Sequence, residues 1–232
     1  MTGDPASPRF VVASDQALLV RFADERSDDA LASVRALAAA LARLPLDGVV
    51  HWQPSYAALL VRFDPLRTDA DRVAEGMRER LAAAPAGALP AAREVEVPVA
   101  YGGAFGPDLS TVAAHCGCTE DEVVAIHSTA SYRVDFFGFV AGFAYLSGLP
   151  EKLAVPRLAE PRRRVEPGSV AIGGGQTGIY PAPTPGGWRL IGRSPLRPAR
   201  FESKPWTLYS TGDRVRFVPI SESEFARANE WR

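Results

Sequence analysis

Long apolar runs are missing from this chain of 232 residues, and no stretch approaches the roughly 20 residues a membrane-spanning helix needs. No membrane partner is expected. The N-terminus, Met-Thr-Gly-Asp-Pro, lacks the basic and then apolar blocks of a secretory leader, so a cytoplasmic location is expected. Charge of one sign is lacking too: 26 Lys and Arg stand against 27 Asp and Glu, a formal net charge of -1. Such a balance offers no general attraction for a phosphate backbone, and nucleic acid is excluded as the expected partner. Cysteine is scarce. Cys116 and Cys118 are too few and too close for a disulfide framework, in keeping with a reducing compartment. The run His115-Cys116-Gly117-Cys118 offers good zinc ligands, but a structural site needs four of them and usually C-x-x-C spacing. Gly117 explains it as a turn ending a short helix, and no metal is expected.

What is present is the 47% hydrophobic content of an ordinary globular protein, at a length that suggests two modest domains. The expected class is α+β, with a small α+β domain over residues 1–92 and a strand-rich domain, barrel or sandwich, over 93–232. In the first, short apolar runs over 10–13 and 18–22 predict strands, and a helix is predicted over 28–44 with Ser27 as N-cap. Leu31, Val34, Leu37, Ala38, Leu41 and Leu44 recur at helical steps and form its buried stripe. Strands over 49–53 and 57–63 flank a Pro54-Ser55-Tyr56 turn, and a second helix spans about 69–83 with Val73, Met77 and Leu81 on one face. The Ala- and Pro-rich residues 84–90 read as a flexible join before a strand over 94–99. This order suggests helices on one face of a mostly antiparallel sheet, close to a ferredoxin-like arrangement. No catalytic constellation occurs in it.

After Pro98 the texture changes. Thr119 and Glu122 form a capping-box pattern that opens a short helix ending near His127. Strand-like runs over 131–139, 169–172, 188–192 and 213–220 then alternate with Gly and Pro clusters, the signature of a compact barrel or sandwich. Gly173, Gly175 and Gly178 satisfy the dinucleotide pattern G-x-G-x-x-G, yet Pro181 and Pro183 forbid the helix that pattern needs to face a pyrophosphate. No Walker loop follows, and neither Ser147 nor Ser169 has the flanks of a nucleophile elbow. His127, at a helix C-terminus, is expected to be favoured in its protonated form or to serve as a cap. Arg157, Arg162, Arg163 and Arg164 form a basic cluster that suits a carboxylate or a phosphate, or else a solvated loop. The aromatics Phe136, Phe137, Phe139, Phe143 and Tyr145 read as core, with Gly138 and Gly142 between them suggesting a pocket wall.

Taken in order, several segments carry a family likeness. They are Tyr101-Gly102-Gly103, Phe105-Gly106-Pro107-Asp108, His127, GFVAGFAYLSGLP over 138–150, Pro156-Arg157 with Pro161-Arg162, GSVAIGGGQTGIYP over 168–181, TPGGWRLIGRSP over 184–195 and GDRVRFVPI over 212–220. Together they resemble the family called allophanate hydrolase subunit 1, kinase-A inhibitor or the B subunit of 5-oxoprolinase. The chain departs from the family's usual pattern at Ala141, at Gly173 and at Ser194, where a proline, an alanine and a threonine are common.

The resemblance implies a small α+β domain followed by a cyclophilin-like β-barrel. It implies a component of an ATP-dependent 5-oxoprolinase, which opens 5-oxo-L-proline to L-glutamate and is inactive alone. The implied partners are a larger protein, allophanate hydrolase subunit 2 or the C subunit of 5-oxoprolinase, and the A subunit of the same enzyme. No cofactor is expected on this chain itself, ATP being used by the assembled complex. Inhibition of a sporulation histidine kinase and the carboxyltransferase role in urea breakdown are the alternatives. Opening a lactam calls for preorganised hydrogen-bond donors. Gln176 and Thr177 are the candidates for the amide-like group, Arg157 or Arg193 for a carboxylate or phosphate, His127 for acid–base work, and Phe143, Tyr145 and Tyr180 for pocket walls.

Overall fold

Alternation of buried and exposed side chains along short strands builds the first half of the chain. The computed structural model describes residues 7–25, 27–83, 92–202 and 204–228, and the chain divides into two compact units, Met1–Ala91 and Ala92–Arg232. In the first unit, β1 (Arg9–Ser14), β2 (Ala17–Arg21), α1 (Asp28–Arg43), β3 (Val49–Pro54), β4 (Ala58–Phe63) and α2 (Ala70–Ala83) follow one another. The sheet is antiparallel throughout, in the order β1-β2-β4-β3. Leu18 and Val20 of β2 and Leu59, Val61 and Phe63 of β4 turn to one face, where Val34, Leu37 and Leu41 of α1 and Val73 and Met77 of α2 cover them. Each such side chain removed from water contributes about 1.5–3 kcal/mol. Ser27 caps α1, its side chain accepting from the Ala30 N–H at 3.1 Å. The join expected over 84–90 lies outside the described residues.

The strand expected over 94–99 forms, but it does not join this sheet. It is β5 (Glu94–Tyr101), and it opens the second unit. The edge beside β2 is taken by β1, which reaches it through a tight hairpin and leaves no place there for a later strand.

The second unit continues with α3 (Leu109–Cys116), α4 (Glu120–Thr129), β6 (Tyr132–Phe137), β7 (Ala144–Ser147), β8 (Arg162–Val165), β9 (Ser169–Gly173), β10 (Gln176–Ile179), β11 (Thr184–Gly186), β12 (Arg189–Arg193), β13 (Arg214–Pro219) and α5 (Glu222–Ala228). Seven strands close into a barrel in the order β10-β7-β6-β13-β5-β12-β9, while β8 and β11 pair separately. Closure removes open edges, and it depends on the parallel pairing of β5 with β13. Gly117 ends α3 in the left-handed conformation, and both bonds of the Thr119–Glu122 capping box are made.

The β5–β13 junction is locked by Asp213. Its carboxylate accepts from the Ser210 N–H at 2.7 Å, from the Arg93 N–H at 3.2 Å and from the Arg93 guanidinium at 2.5 Å. Burial opposes its charge, yet these donors hold the carboxyl below its usual range. Asp213→Asn is expected to cost about 1–3 kcal/mol at neutral pH, because part of this donor set loses its acceptor. A depressed folded value means that the carboxylate's contribution is present above the unfolded value near ~3.9 and is lost as pH falls through the folded one. Urea denaturation of both proteins should therefore show the deficit shrinking on acidification, and a deficit that grew would contradict the assignment.

Candidate functional site

The barrel wall formed by β9, β10, β7 and β12 is buried on both faces, and the two faces do different work. Val170 and Ile172 of β9, Ile179 of β10, Ala144 and Leu146 of β7 and Ile191 of β12 turn inward to the core. Their neighbours in sequence, Ala171, Tyr180, Phe143, Tyr145 and Leu190, turn outward and join Val165 and Trp188 in a second apolar cluster. Period-two alternation thus makes a site on the outside of a wall whose inside is the core.

An aromatic pocket of about 300 Å³ opens on that outer face. Phe143, Tyr145, Tyr180 and Trp188 form its body, Arg157, Leu158 and Pro161 one wall, and Phe139 with residues 185–187 the rim. The rings meet edge to face: Phe143 lies 5.1 Å from Tyr145, 5.4 Å from Tyr180 and 5.4 Å from Trp188 between centroids. Backbone geometry seats them. A Cβ at Gly173 would meet Trp188 Cδ1 at 2.4 Å, so the glycine lets the indole lie close against β9. Phe139 is the non-glycine residue with positive φ, 65°, among the described residues, and its ring stands edge-on to Phe143 at 5.6 Å while remaining 58% exposed. The turn that presents it is tied by Gly138 N–H to Phe143 C=O at 3.0 Å and by Phe143 N–H to Val140 C=O at 3.0 Å.

Arg157 supplies the pocket's charge. Its guanidinium lies 5.9 Å from the Trp188 ring centroid, and among the described residues it has no ion-pair partner. Two other arginines of the cluster are engaged elsewhere. Arg162 pairs with Asp108 at 2.8 Å, whose other oxygen accepts from the Leu190 N–H at 2.7 Å, and Arg164 pairs with Glu166 at 2.7 Å. Arg193 donates to the Pro167 carbonyl at 2.8 Å and lies 6.0 Å from the Phe225 ring centroid. Tyr180, raised above its ordinary value chiefly by burial, remains a neutral phenol.

The structure thus brings Arg157, Phe143, Tyr145 and Tyr180 together, and it puts His127, Thr177, Gln176 and Arg193 outside that pocket's lining. His127 reaches from α4 into the core, fully buried, stacked on Phe217 at 4.6 Å. Thr177 donates its hydroxyl proton to the Ala171 carbonyl at 2.9 Å, so its oxygen accepts from His127 Nε2–H at 3.0 Å. Nδ1 is then the acceptor for the Tyr101 hydroxyl at 2.8 Å. Both ring nitrogens are satisfied in a neutral tautomer. The expectation of a protonated histidine is overturned: burial lowers its pKa to about 3, and that outweighs the helix-terminus field. Gln176 lies on the outer face of β10, 7% exposed, and its Nε2 is buried without a hydrogen-bond partner among the described residues.

Glycines 174 and 175 form the turn between β9 and β10, and the chain continues as a strand, so no helix faces the glycine run. Trp188 and Pro161 are pocket residues that sequence reasoning misses; the TPGGW run is the available signal, since paired glycines before a tryptophan permit a close ring-to-backbone approach. Among the described residues, no three His, Cys, Asp or Glu side chains gather into a metal-binding group, and no helix is long and apolar enough to cross a membrane.

Comparison with known proteins shows the family of this barrel-bearing chain. The chain belongs to the family described as carboxyltransferase domain, subdomain C and D, which it matches over residues 8–209. Within that family it is 38% identical over 221 residues to the B subunit of 5-oxoprolinase from Bacillus subtilis, covering 91% of this chain and 92% of that one. It is 57% identical over 136 residues to the B subunit of 5-oxoprolinase from Escherichia coli O157:H7, covering 57% and 61% of the two chains. The crystal structure of TTHA0988 superposes with a TM-score of 0.78 at 36% identity, covering 90% of this chain and 40% of that one. This chain therefore spans well under half the length of that solved relative.

A neutral, sealed His127 makes a pH prediction. Because the folded value lies below the unfolded ~6.5, its contribution to stability is full above about pH 6.5 and declines as pH falls toward the folded value, by up to ~1.4 kcal/mol per pH unit. The ring resonances of His127 should stay flat between pH 8 and 5 in an NMR titration of the folded protein. A midpoint near the ordinary histidine value would refute the neutral assignment.

Proposed function

We propose that this chain is the B subunit of an ATP-dependent 5-oxoprolinase, and that the outer aromatic pocket receives the substrate with Arg157 holding its carboxylate. The observation that carries the reading is the Arg157 guanidinium, without an ion-pair partner among the described residues, over Trp188 in an aromatic-lined cavity of about 300 Å³. A 5-oxoproline monoanion has one carboxylate and one small, flat ring, which is what a single cation in an aromatic pocket complements. The names of the relatives agree with this substrate.

In this reading the first unit is a ferredoxin-like domain over residues 1–92, with β1 in place of the usual last strand, and residues 93–232 form a cyclophilin-like barrel domain. Phe143, Tyr145 and Tyr180 wall the substrate and exclude water, while His127 and Thr177 brace the wall from inside. The chain holds no cofactor of its own. ATP is used by a cytoplasmic complex with two partners, a larger one like the C subunit of 5-oxoprolinase and one like its A subunit, because a lactam is a poor electrophile whose carbonyl needs activation from outside this pocket. The isolated chain is inactive.

Co-expression with the two candidate partners should give 5-oxoproline-dependent phosphate release that requires this chain. In that complex Arg157→Ala should raise KM by about 10–100-fold, the worth of a charge-assisted hydrogen bond, with a smaller change in kcat. Arg157→Lys should recover part of it. A complex that assembles and hydrolyses ATP without regard to 5-oxoproline would overturn the reading.

A further inference from the structure

The hydroxyl of Tyr180 is a polar group that the aromatic pocket holds without giving it a partner. Tyr180 is 2% exposed and lines the pocket. Among the described residues its hydroxyl makes no hydrogen bond, and it does not belong to the polar atoms sealed from solvent. The side chain is fixed at both ends. Its backbone N–H donates to the Ser169 carbonyl at 3.0 Å, and its own carbonyl accepts from the Gly168 N–H at 2.7 Å. At the tip of the ring, a Cβ added at Gly186 would come within 2.4 Å of the hydroxyl oxygen, so the phenol rests against bare backbone at the pocket rim. Gly186 stands opposite Arg162 in the β11–β8 ladder, and Arg162 is tied to Asp108 at 2.8 Å. Between the two ends, Phe143 meets the ring at 5.4 Å.

The surroundings of the phenol oxygen are one-sided. Burial pushes its pKa up, the Trp188 N–H and Arg157 pull it down, and Tyr145 and Arg162 act in opposite directions. The Trp188 N–H lies near the oxygen without closing a hydrogen bond. An N–H and two cations therefore border this oxygen, and no carboxylate acts on it. A neutral phenol has one proton to give and lone pairs to accept with. Guanidinium and backbone N–H groups suit the lone pairs, but neither can take the proton. The acceptor for that proton comes from what enters the pocket, and next to two arginines an electron-rich oxygen is the favoured kind. In 5-oxoproline the carboxylate and the ring carbonyl lie on opposite sides of the ring N–H, so two separate donors complement them. Arg157 is the donor for the first, and Tyr180 is available for the second.

We infer that the Tyr180 hydroxyl donates a hydrogen bond to the ring carbonyl oxygen of the ligand whose carboxylate Arg157 holds, so that the pocket selects a cyclic amide acid through two separate donors. The identity of that ligand as 5-oxoproline rests on the proposed function. No covalent bond forms or breaks in this contact. Tyr180 orients the carbonyl that the partners activate, and because its ring and the strand behind it are already in place, the donor is preorganised. Rings of the same size and charge that lack the carbonyl lose this contact.

The test compares 5-oxoproline with cyclopentanecarboxylate, which keeps the ring and the carboxylate and lacks the carbonyl, in the assembled complex. KM is read for the first and the competitive inhibition constant for the second. Tyr180→Phe, which removes only the oxygen, should raise KM for 5-oxoproline about tenfold, the worth of one hydrogen bond, and leave the inhibition constant of cyclopentanecarboxylate unchanged. Arg157→Ala should weaken both compounds. If Tyr180→Phe weakens both equally, the hydroxyl serves the carboxylate or the packing, and if it weakens neither, the hydroxyl is unused; either result overturns the inference and leaves the proposed function standing. If the wild-type complex ignores 5-oxoproline, the proposed function fails, and the hydroxyl is judged on the chain alone by the NMR resonance of Tyr180 Cζ. A shift with 2-pyrrolidinone that cyclopentanecarboxylate does not produce upholds the donor, and no such shift overturns it. The same reading decides the matter if the Tyr180→Phe complex fails to assemble.

Discussion

The hydrogen bond from His127 Nε2 to Thr177 Oγ1 decides which face of β10 is inside. A strand shows alternate residues to opposite faces, so a slip of one residue would bury Gln176 against the His127 ring and turn Thr177 out. Nothing else in the strand specifies the register as strongly, because Gly178 has no side chain and Ile179 is apolar on a wall that is apolar on both sides. The polar pair in the core thereby places every outward group of the wall. The core holds the bond without charge, since both imidazole nitrogens and the threonine proton are matched to partners and burial keeps the ring neutral.

Much of this was legible in the sequence wherever a local rule had no strong competitor. Ser27, Gly117 and the Thr119–Glu122 pair marked helix ends, and the i, i+3, i+4 stripe of α1 marked the face that packs on the sheet. What local rules could not supply was partnership over long distances. β5 pairs with β13 about 120 residues away, so a strand that follows the first helices in sequence belongs to the barrel instead of their sheet. β10 was hidden because its glycines resemble a loop, although the hairpin turn uses only two of them.

The candidate site divides in the same way. Aromatic walls could be named from their spacing with Gly138 and Gly142, because a ring near a glycine implies close approach. The arginines could not be ranked, since the feature that separates Arg157 from Arg162 is the location of Asp108, 54 positions from Arg162 along the chain. His127 shows a question of magnitude. A helix terminus favours the charged form by about 0.3–1 kcal/mol, rarely ~2. Moving a histidine from 6.5 to about 3 corresponds to ~5 kcal/mol in the opposite direction. The larger effect depends on burial, which no nearest-neighbour pattern in the sequence discloses.

Phe139 holds a backbone conformation that glycine would adopt freely and that costs an L-residue about 1–3 kcal/mol. At that one position the main chain and the pocket have opposed preferences: the backbone favours the smallest residue, and the rim needs a ring. The turn from Gly138 to Phe143 is therefore held by its own hydrogen bonds against the local preference of the residue at its tip. Residue choice there measures how strongly the rim is needed, since only a demand from outside the turn itself keeps an aromatic residue in a glycine's place.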